Sequence, residues 1–211
     1  MTIEFEPWPS IARLYRDMVI TEKIDGTNAA IAIQKLDEEE QPPDNLVAEV
    51  KDETEVFDTY YGVVAQSRKR IITVRDDNFG FAKWVQANAE ALFHTLGEGR
   101  HFGEWWGSGI QRGYDLPKGE KRFSLFNTPR WRDTDLSGVP GLGMVPELYV
   151  GEFSVAKIET LKEDLLFNGS AASPGFLNPE GVVIYHTASR TAYKSTYDDC
   201  DHGEGGKTWT S

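Results

Sequence analysis

The sequence VITEKIDGTNAAIAI (19–33) places Lys23 two residues before an Asp25-Gly26 turn, between two runs of strand-forming residues. Asp-Gly between apolar runs predicts a β-hairpin, but a hairpin does not need a lysine at that position. A neutral amine is a good nucleophile, and although a lysine is normally protonated at pH 7, desolvation and nearby cations lower its pKa. A lysine held on a strand beside a tight turn is therefore a candidate nucleophile.

Four more residues of chemical interest follow along the chain. Glu104 lies in FGEWWG, Phe126 near the end of RFSLFN, Glu180 at the start of EGVVIY, and Lys194 in AYKS. Each alone has an ordinary explanation as a surface charge, a strand end or a core aromatic residue. Lys-x-Asp-Gly alone also arises by chance in roughly one chain in twenty of this length. The order and spacing of the whole set favour a shared site.

This ordered set resembles the motifs of the covalent nucleotidyltransferases, which are the ATP-dependent RNA and DNA ligases and the mRNA capping enzymes. EKIDGTN resembles motif I, FGEWWG motif III, FSLFN motif IIIa, EGVVI motif IV and AYKS motif V. Arg68, in QSRKR, lies where the family carries its motif Ia arginine. The residues after the turn, Thr27-Asn28, are similar to those of phage nick-sealing RNA ligases, whereas DNA ligases usually carry an arginine there. The resemblance extends over about residues 18–196.

The resemblance implies that Lys23 attacks the α-phosphate of ATP, which would form lysyl-AMP and release pyrophosphate. The expected ATP contacts are Glu22, Lys23, Asp25, Gly26, Asn28, Arg68, Glu104, Phe126 and Lys194.

Within this set, Glu104 would bind the ribose hydroxyls, Phe126 would stack on adenine, and the choice of base would depend on hydrogen bonds near Glu22 and Lys23. Arg68 and Lys194 would contact phosphates. Glu180 is the metal candidate, because carboxylates suit Mg²⁺ or Mn²⁺.

The implied function is an ATP-dependent RNA ligase. It would transfer AMP to the 5′-phosphate of RNA or a nicked duplex and then join a 3′-hydroxyl, as in RNA repair. One alternative is a GTP-dependent guanylyltransferase of the capping type. A second is a non-catalytic nucleotide- or RNA-binding module of the same fold. The second alternative is suggested by Ala192, which occupies a position where motif V often has another lysine.

The motifs leave 17 residues after Lys194. Ligases and capping enzymes commonly carry a further domain, so we expect residues 1–211 to form one catalytic domain with no recognisable C-terminal accessory domain. A protein partner would then help to hold the substrate.

Composition limits the compartment and the class of partner. The 211 residues carry a formal net charge of −12, contain 39% hydrophobic residues and include one cysteine, Cys200. The absence of any apolar run of 18 residues, of a signal-peptide pattern and of paired cysteines predicts a cytoplasmic protein without membrane contact. Residues 61–132 nevertheless contain 12 Lys/Arg and 7 Asp/Glu. A basic face for polynucleotide is therefore compatible with the acidic total; its candidates are Arg68, Lys69, Arg70, Lys121 and Arg122.

The elements that position these residues are mostly strands. Strand patterns span 18–24, 27–35, 46–51, 60–66, 100–106, 122–127, 147–152, 180–187 and 190–196. Helical periodicity predicts one helix over 77–97, capped by Asp77 or Asn78, and another between Ser154 and Gly169. Residues 129–147 are rich in proline and glycine and indicate a loop. The predicted fold class is α+β, and the resemblance implies antiparallel sheets flanked by helices, with ATP between the sheets.

The apolar face of the first helix would be Phe81, Val85, Ala89, Leu92 and Leu96. That of the second helix would be Val155, Ile158, Leu161 and Leu165.

Overall fold

The computed structural model describes residues 4–37, 39, 41–55 and 57–197. The strands are β1 (Asp17–Lys23), β2 (Thr27–Lys35), β3 (Ala48–Asp52), β4 (Thr59–Ser67), β5 (Ile71–Ile72), β6 (Gly99–Gly107), β7 (Lys121–Leu125), β8 (Leu142–Met144), β9 (Glu147–Glu152), β10 (Gly181–His186) and β11 (Thr191–Thr196). The α-helices are α1 (Phe81–Ala87), α2 (Ala89–Leu96), α3 (Thr128–Trp131) and α4 (Val155–Asn168). A 3₁₀ turn spans Gly113–Asp115. Cys200 and the acidic tail lie outside the described residues.

The strands form two sheets. The smaller sheet has the order β11-β10-β1-β9, and the larger has the order β3-β4-β2-β6-β7-β8 with β5 paired to β4. The pairs are antiparallel except for β7 with β8, which is parallel. All nine predicted strands are present within two residues of the predicted bounds, and the α+β class is confirmed.

The predicted hairpin around Asp25-Gly26 is wrong. β1 pairs with β9 and β10, whereas β2 pairs with β4 and β6, so the turn carries the chain from one sheet to the other. At Gly26 the chain passes close to β6. A Cβ at this position would lie 2.5 Å from the Trp105 carbonyl oxygen and 2.8 Å from Trp106 Cβ. Local turn chemistry predicted the bend correctly, but long-range pairing decides the partners of each strand. Lys23 therefore ends β1 where the two sheets meet.

The predicted helix over 77–97 is two helices, α1 and α2, that break at Asn88. The Asn88 side chain donates a hydrogen bond to the Trp84 carbonyl at 2.8 Å, a contact that competes with the regular helical bond. Asp77 satisfies the first turn of α1, as its carboxylate accepts from the backbone N–H groups of Ala82 and Lys83. The predicted apolar face is buried against the larger sheet.

The second predicted helix, α4, begins after Ser154, whose side chain accepts from the Lys157 N–H, and ends at Gly169. Ile158 and Leu165 are buried against the smaller sheet as expected. Val155 is 62% exposed instead, while Lys162 is buried on this helix.

The predicted loop at 129–147 contains most of α3 and all of β8, and the two-residue β5 was also missed. These pieces are too short for periodicity to reveal. Among the described residues, no helix combines the length and apolar character needed to cross a membrane.

Candidate active site

A cavity of about 550 Å³ lies between the two sheets and receives residues from both. Its lining consists of Val19, Thr21, Glu22, Lys23, Ile24, Asn28, Glu104, Phe126, Asn127, Thr128, Pro129, Val145, Val183, Tyr185 and Ala192. This volume is within the range of small-molecule and cofactor sites. The cavity brings together residues from five of the sequence motifs, namely I, III, IIIa, IV and V.

Lys23 forms an ion pair at one end of this cavity. Its Nζ lies 2.6 Å from Glu180 Oε2, and the two side chains are 25% and 16% exposed. The pair is set by register, because Lys23 is opposite Gly181 in the β1–β10 ladder and Glu180 directly precedes that residue. The sequence analysis expected cations near the amine, whereas its ion-pair partner is a carboxylate. Any reaction at this amine therefore requires its release from Glu180.

Glu104 is on β6, next to the Asp25-Gly26 turn. Its Oε1 accepts a hydrogen bond from the Gly26 N–H at 3.2 Å. Burial raises the pKa of Glu104 to about 7, although the charge of Lys23 and the Gly26 hydrogen bond act in the opposite direction. The neighbouring carboxylates Glu180 and Asp25 add to the increase. The end of the cavity thus has an excess of acidic groups, which is a suitable environment for a cation.

Glu22 is placed differently from its neighbour Lys23. Its carboxylate is buried and accepts from the Ser170 hydroxyl at 2.6 Å and from the Ala172 N–H at 2.9 Å. Burial raises the pKa of Glu22, and these hydrogen bonds oppose the increase. The Glu22 N–H is also occupied, because it donates to the Pro146 carbonyl oxygen at 2.9 Å.

The middle of the cavity is apolar on one side and polar on the other. Phe126 projects from the end of β7, facing a wall from the smaller sheet that includes Val183 and Tyr185. Asn28, at the start of β2, is opposite Glu104 in the β2–β6 ladder. A flat aromatic ligand could lie against the Phe126 ring, with polar groups directed toward Asn28 and Glu104.

The two predicted phosphate contacts lie outside the cavity lining. Lys194 pairs with Val183 in the β10–β11 ladder, so its side chain shares the face of the sheet on which Val183 lines the cavity. Arg68 is exposed in the bend that follows β4, whose last residue, Ser67, pairs with Ala29 of β2. Both cations therefore lie on or just after strands that neighbour the strands lining the cavity.

Sequence reasoning missed several residues that support the site. Arg112 donates from Nε to Asp25 Oδ2 at 3.0 Å, and the Tyr114 hydroxyl accepts from the Asp25 N–H at 2.8 Å. Near Phe126, Glu147 accepts hydrogen bonds from Thr128 at 2.6 Å and from Arg132. None of these residues belongs to a recognisable spacing, and only the fold brings them to the site.

Within the described residues, no group of three or more His, Cys, Asp or Glu side chains could hold a metal ion by itself. This fits Mg²⁺ or Mn²⁺ with few protein ligands, since Mg²⁺ is usually held by one or two carboxylates together with substrate phosphates and water. The donor chemistry of Glu180 suits such an ion, and a cation would also relieve the crowding of carboxylates around Glu104.

Comparisons with known proteins agree with this geometry. The model of the RNA ligase family matches residues 16–198, while no curated protein matches the chain. Three solved structures of mutant RNA ligases from Naegleria gruberi resemble the fold. They are an apo form (TM-score 0.52, 16% identity), one with ATP and Mn (0.51, 14%) and one with AMP and Mn (0.52, 15%). Each alignment covers 87% of this chain and 50% of the other, so this chain spans about half the length of those ligases. From the family match over nearly its whole length, we conclude that the chain belongs to the RNA ligase family.

Proposed function

We propose that this chain is an ATP-dependent RNA ligase that adenylylates itself on Lys23. The observation that carries the proposal is the position of the Lys23 amine, at the end of a nucleotide-sized cavity and 2.6 Å from the Glu180 carboxylate. The candidate nucleophile and an aromatic residue, Phe126, thus line one cavity, and Glu180, an acidic group suited to a divalent cation, is paired with that lysine. The family match supports the choice of ligase chemistry.

ATP and a divalent metal are the proposed co-substrate and cofactor. Solved forms of the Naegleria ligase with ATP and Mn and with AMP and Mn support both. Glu180 would hold the metal, which supplies positive charge to the reacting phosphates. Engagement of Glu180 by a cation would release the Lys23 amine from its ion pair.

The first step would proceed by in-line attack. The Lys23 nitrogen loses a proton and forms a bond to the α-phosphorus of ATP, while the bond from that phosphorus to the bridging oxygen breaks and pyrophosphate leaves. Lys194 and Arg68 would stabilise the charge on the phosphates. In the next two steps, AMP passes from Lys23 to a 5′-phosphate of RNA, and a 3′-hydroxyl then displaces AMP to form the phosphodiester.

The remaining contacts would bind and orient the nucleotide. Adenine would stack on Phe126, and Glu104 would accept hydrogen bonds from the ribose hydroxyls. Asp25 and Gly26 would shape the turn beside the α-phosphate, and Asn28 would bind near the ribose, where it is opposite Glu104. Hydrogen bonds near Glu22 and Lys23 would select the base.

We further propose that residues 1–211 work as one nucleotidyltransferase domain and that RNA or a nicked duplex is the substrate. A protein partner would supply additional contacts with the polynucleotide, because this chain is acidic overall and repels phosphates. A cytoplasmic location would give the enzyme access to RNA.

The test is the intact mass of the protein after incubation with ATP and Mn²⁺ or Mg²⁺. We expect the mass of one AMP to be added at Lys23 and Lys23→Ala to abolish the adduct while keeping the fold. Lys51→Ala is the matched control. Lys51 is on β3, at the edge of the larger sheet, and it also forms an ion pair with a carboxylate, that of Asp58. Labelling by GTP instead of ATP would favour a guanylyltransferase, and an unchanged adduct in Lys23→Ala would contradict the assignment of the nucleophile.

A further inference from the structure

The Asp25-Gly26 turn lacks the ladder of a hairpin, since β1 and β2 belong to different sheets. The geometry of this turn must therefore be set by other parts of the chain. It also determines where the Lys23 amine lies, because Lys23 is the last residue of β1. The residues that hold the turn, at 109–115, follow β6 and come from outside the family motifs.

Arg112 connects the turn to the segment that carries Glu180. Its Nε donates to Asp25 Oδ2 at 3.0 Å. Its Nη1 donates to the carbonyl oxygens of Asn178 at 3.2 Å and Pro179 at 3.1 Å, and to Asn178 Oδ1 at 3.0 Å. The Arg112 side chain is only 16% exposed. One guanidinium thus bridges the two segments whose reactive side chains form the Lys23–Glu180 pair.

The backbone around Arg112 is strained at three neighbouring residues. Gln111, Tyr114 and Asp115 have positive φ angles of 44°, 55° and 53°, which residues with a side chain rarely adopt. Such conformations persist only when surrounding contacts fix them, and they concentrate at functional sites. Tyr114 is fully buried, packs on Trp106 and Phe176, and its hydroxyl accepts from the Asp25 N–H at 2.8 Å.

The chemistry of the contact requires arginine. A guanidinium is planar and directs donors toward several acceptors at fixed angles, whereas the lysine ammonium is a compact charge on a flexible stem. A lysine at position 112 could reach Asp25 or the Asn178 and Pro179 carbonyls, but it would not form all of these hydrogen bonds at once.

From these contacts we infer that Arg112 is a positioning residue, which sets the approach of the Lys23 amine and the Glu180 carboxylate by tying the Asp25-Gly26 turn to residues 178–179. The inference rests on the proposed function, because it assigns Arg112 a part in lysine adenylylation. Arg112 need not contact ATP. Its loss should therefore reduce the rate of the chemical step at saturating ATP rather than the affinity for ATP.

The test is single-turnover formation of lysyl-AMP across a range of ATP concentrations, in the wild type, Arg112→Lys, Arg112→Ala and the control Lys51→Ala. A small misplacement of reacting groups costs up to a hundredfold, so we expect the saturating rate to fall between about tenfold and a hundredfold in both Arg112 variants. The ATP concentration for half-saturation should change by less than about threefold. Added ethylguanidinium should partly restore the rate of Arg112→Ala and leave that of Arg112→Lys unchanged.

A second measurement does not depend on ATP. Hydrogen–deuterium exchange at the Asp25 and Gly26 amides and around residues 178–181 should be faster in Arg112→Lys than in the wild type and in Lys51→Ala. Unchanged exchange, or a saturating rate within about twofold of the wild type, would overturn the inference. If the wild type forms no adduct, the proposed function fails, and the exchange result still decides whether Arg112 holds the turn.

Discussion

Glu104 and Glu180 both lie near Lys23 but in different surroundings. Glu180 has the lysine amine at 2.6 Å, whereas Glu104 has a single backbone N–H at 3.2 Å and greater desolvation. Burial raises the pKa of Glu104 to about 7, compared with 4.5 for an ordinary glutamate. One carboxylate is therefore paired with the lysine, whereas the other, Glu104, titrates near neutral pH, a perturbation typical of functional sites.

This difference predicts how stability depends on pH. Between pH 4.5 and about 7 the folded protein binds a proton at Glu104 that the unfolded chain has released, so the contribution of this group to stability falls as pH rises and levels off above about 7. Glu104→Gln removes the titration while keeping an acceptor for the Gly26 N–H. Relative to the wild type, we expect the variant to gain about 1–3 kcal/mol in free energy of unfolding between pH 5 and pH 8.

Urea unfolding of both proteins at several pH values would measure this gain. Glu98→Gln is a suitable control, since Glu98 lies just before β6 on the surface of the molecule. A difference between Glu104→Gln and the wild type that stays constant with pH would show that Glu104 is ionised in the folded protein throughout this range.

At the scale of elements, the turn between β1 and β2 controls the site. Gly26 leaves no room for a side chain, because a Cβ would lie 2.5 Å from the Trp105 carbonyl oxygen and 3.0 Å from Glu104 Cγ. Its backbone conformation is not left-handed, so the requirement for glycine comes from the close approach of β6. A residue with a side chain must push the turn away from β6 and move Lys23.

We predict that Gly26→Ala lowers the rate of lysyl-AMP formation at least about tenfold and the free energy of unfolding by about 1–3 kcal/mol, as expected for overpacking. Gly138→Ala is the matched control, because a Cβ there would meet no heavy atom within 4 Å. Adenylylation kinetics and urea unfolding would be compared for the two variants. Near wild-type kinetics in Gly26→Ala would mean that the turn can shift without displacing the amine.

The elements also show what the sequence could and could not predict. Strand positions followed from local composition, so 27–35 and 147–152 match the structure to the residue. The pairing partners of β1 could not be predicted from local composition, because an Asp-Gly turn specifies a bend and not which strands pair. Lys23 and Glu180 could be associated only through the order of known motifs. Arg112 lies 87 residues from Asp25 in the chain, and nothing local in the sequence indicates their contact.

At the scale of the whole molecule, charge decides how a polynucleotide is held. The chain carries −12 overall, and its net-basic portion is residues 61–132. Part of this basic charge is already paired within the protein: Arg70 bonds to Asp76, and Arg122 bonds to Glu120. Arg68 and Lys69 are exposed in the bend after β4, whose last residue, Ser67, pairs with Ala29 near the start of β2.

We therefore predict that adenylylation proceeds without nucleic acid, while sealing of a nicked duplex by this chain alone is slow and sensitive to salt. Polynucleotide affinity derives mainly from neutralised phosphates and released counterions, so about three to five contacts should lower the affinity roughly tenfold to several-hundredfold between 50 and 200 mM salt. Reversing Arg68 and Lys69 to glutamate should flatten this dependence. Lys51→Glu, on β3 opposite Tyr60 at the other end of β4, should change the slope far less. Binding of a fluorescent nicked duplex across a salt series would give the slopes, and tight binding that does not respond to salt would point to an apolar or stacking surface in place of this basic face.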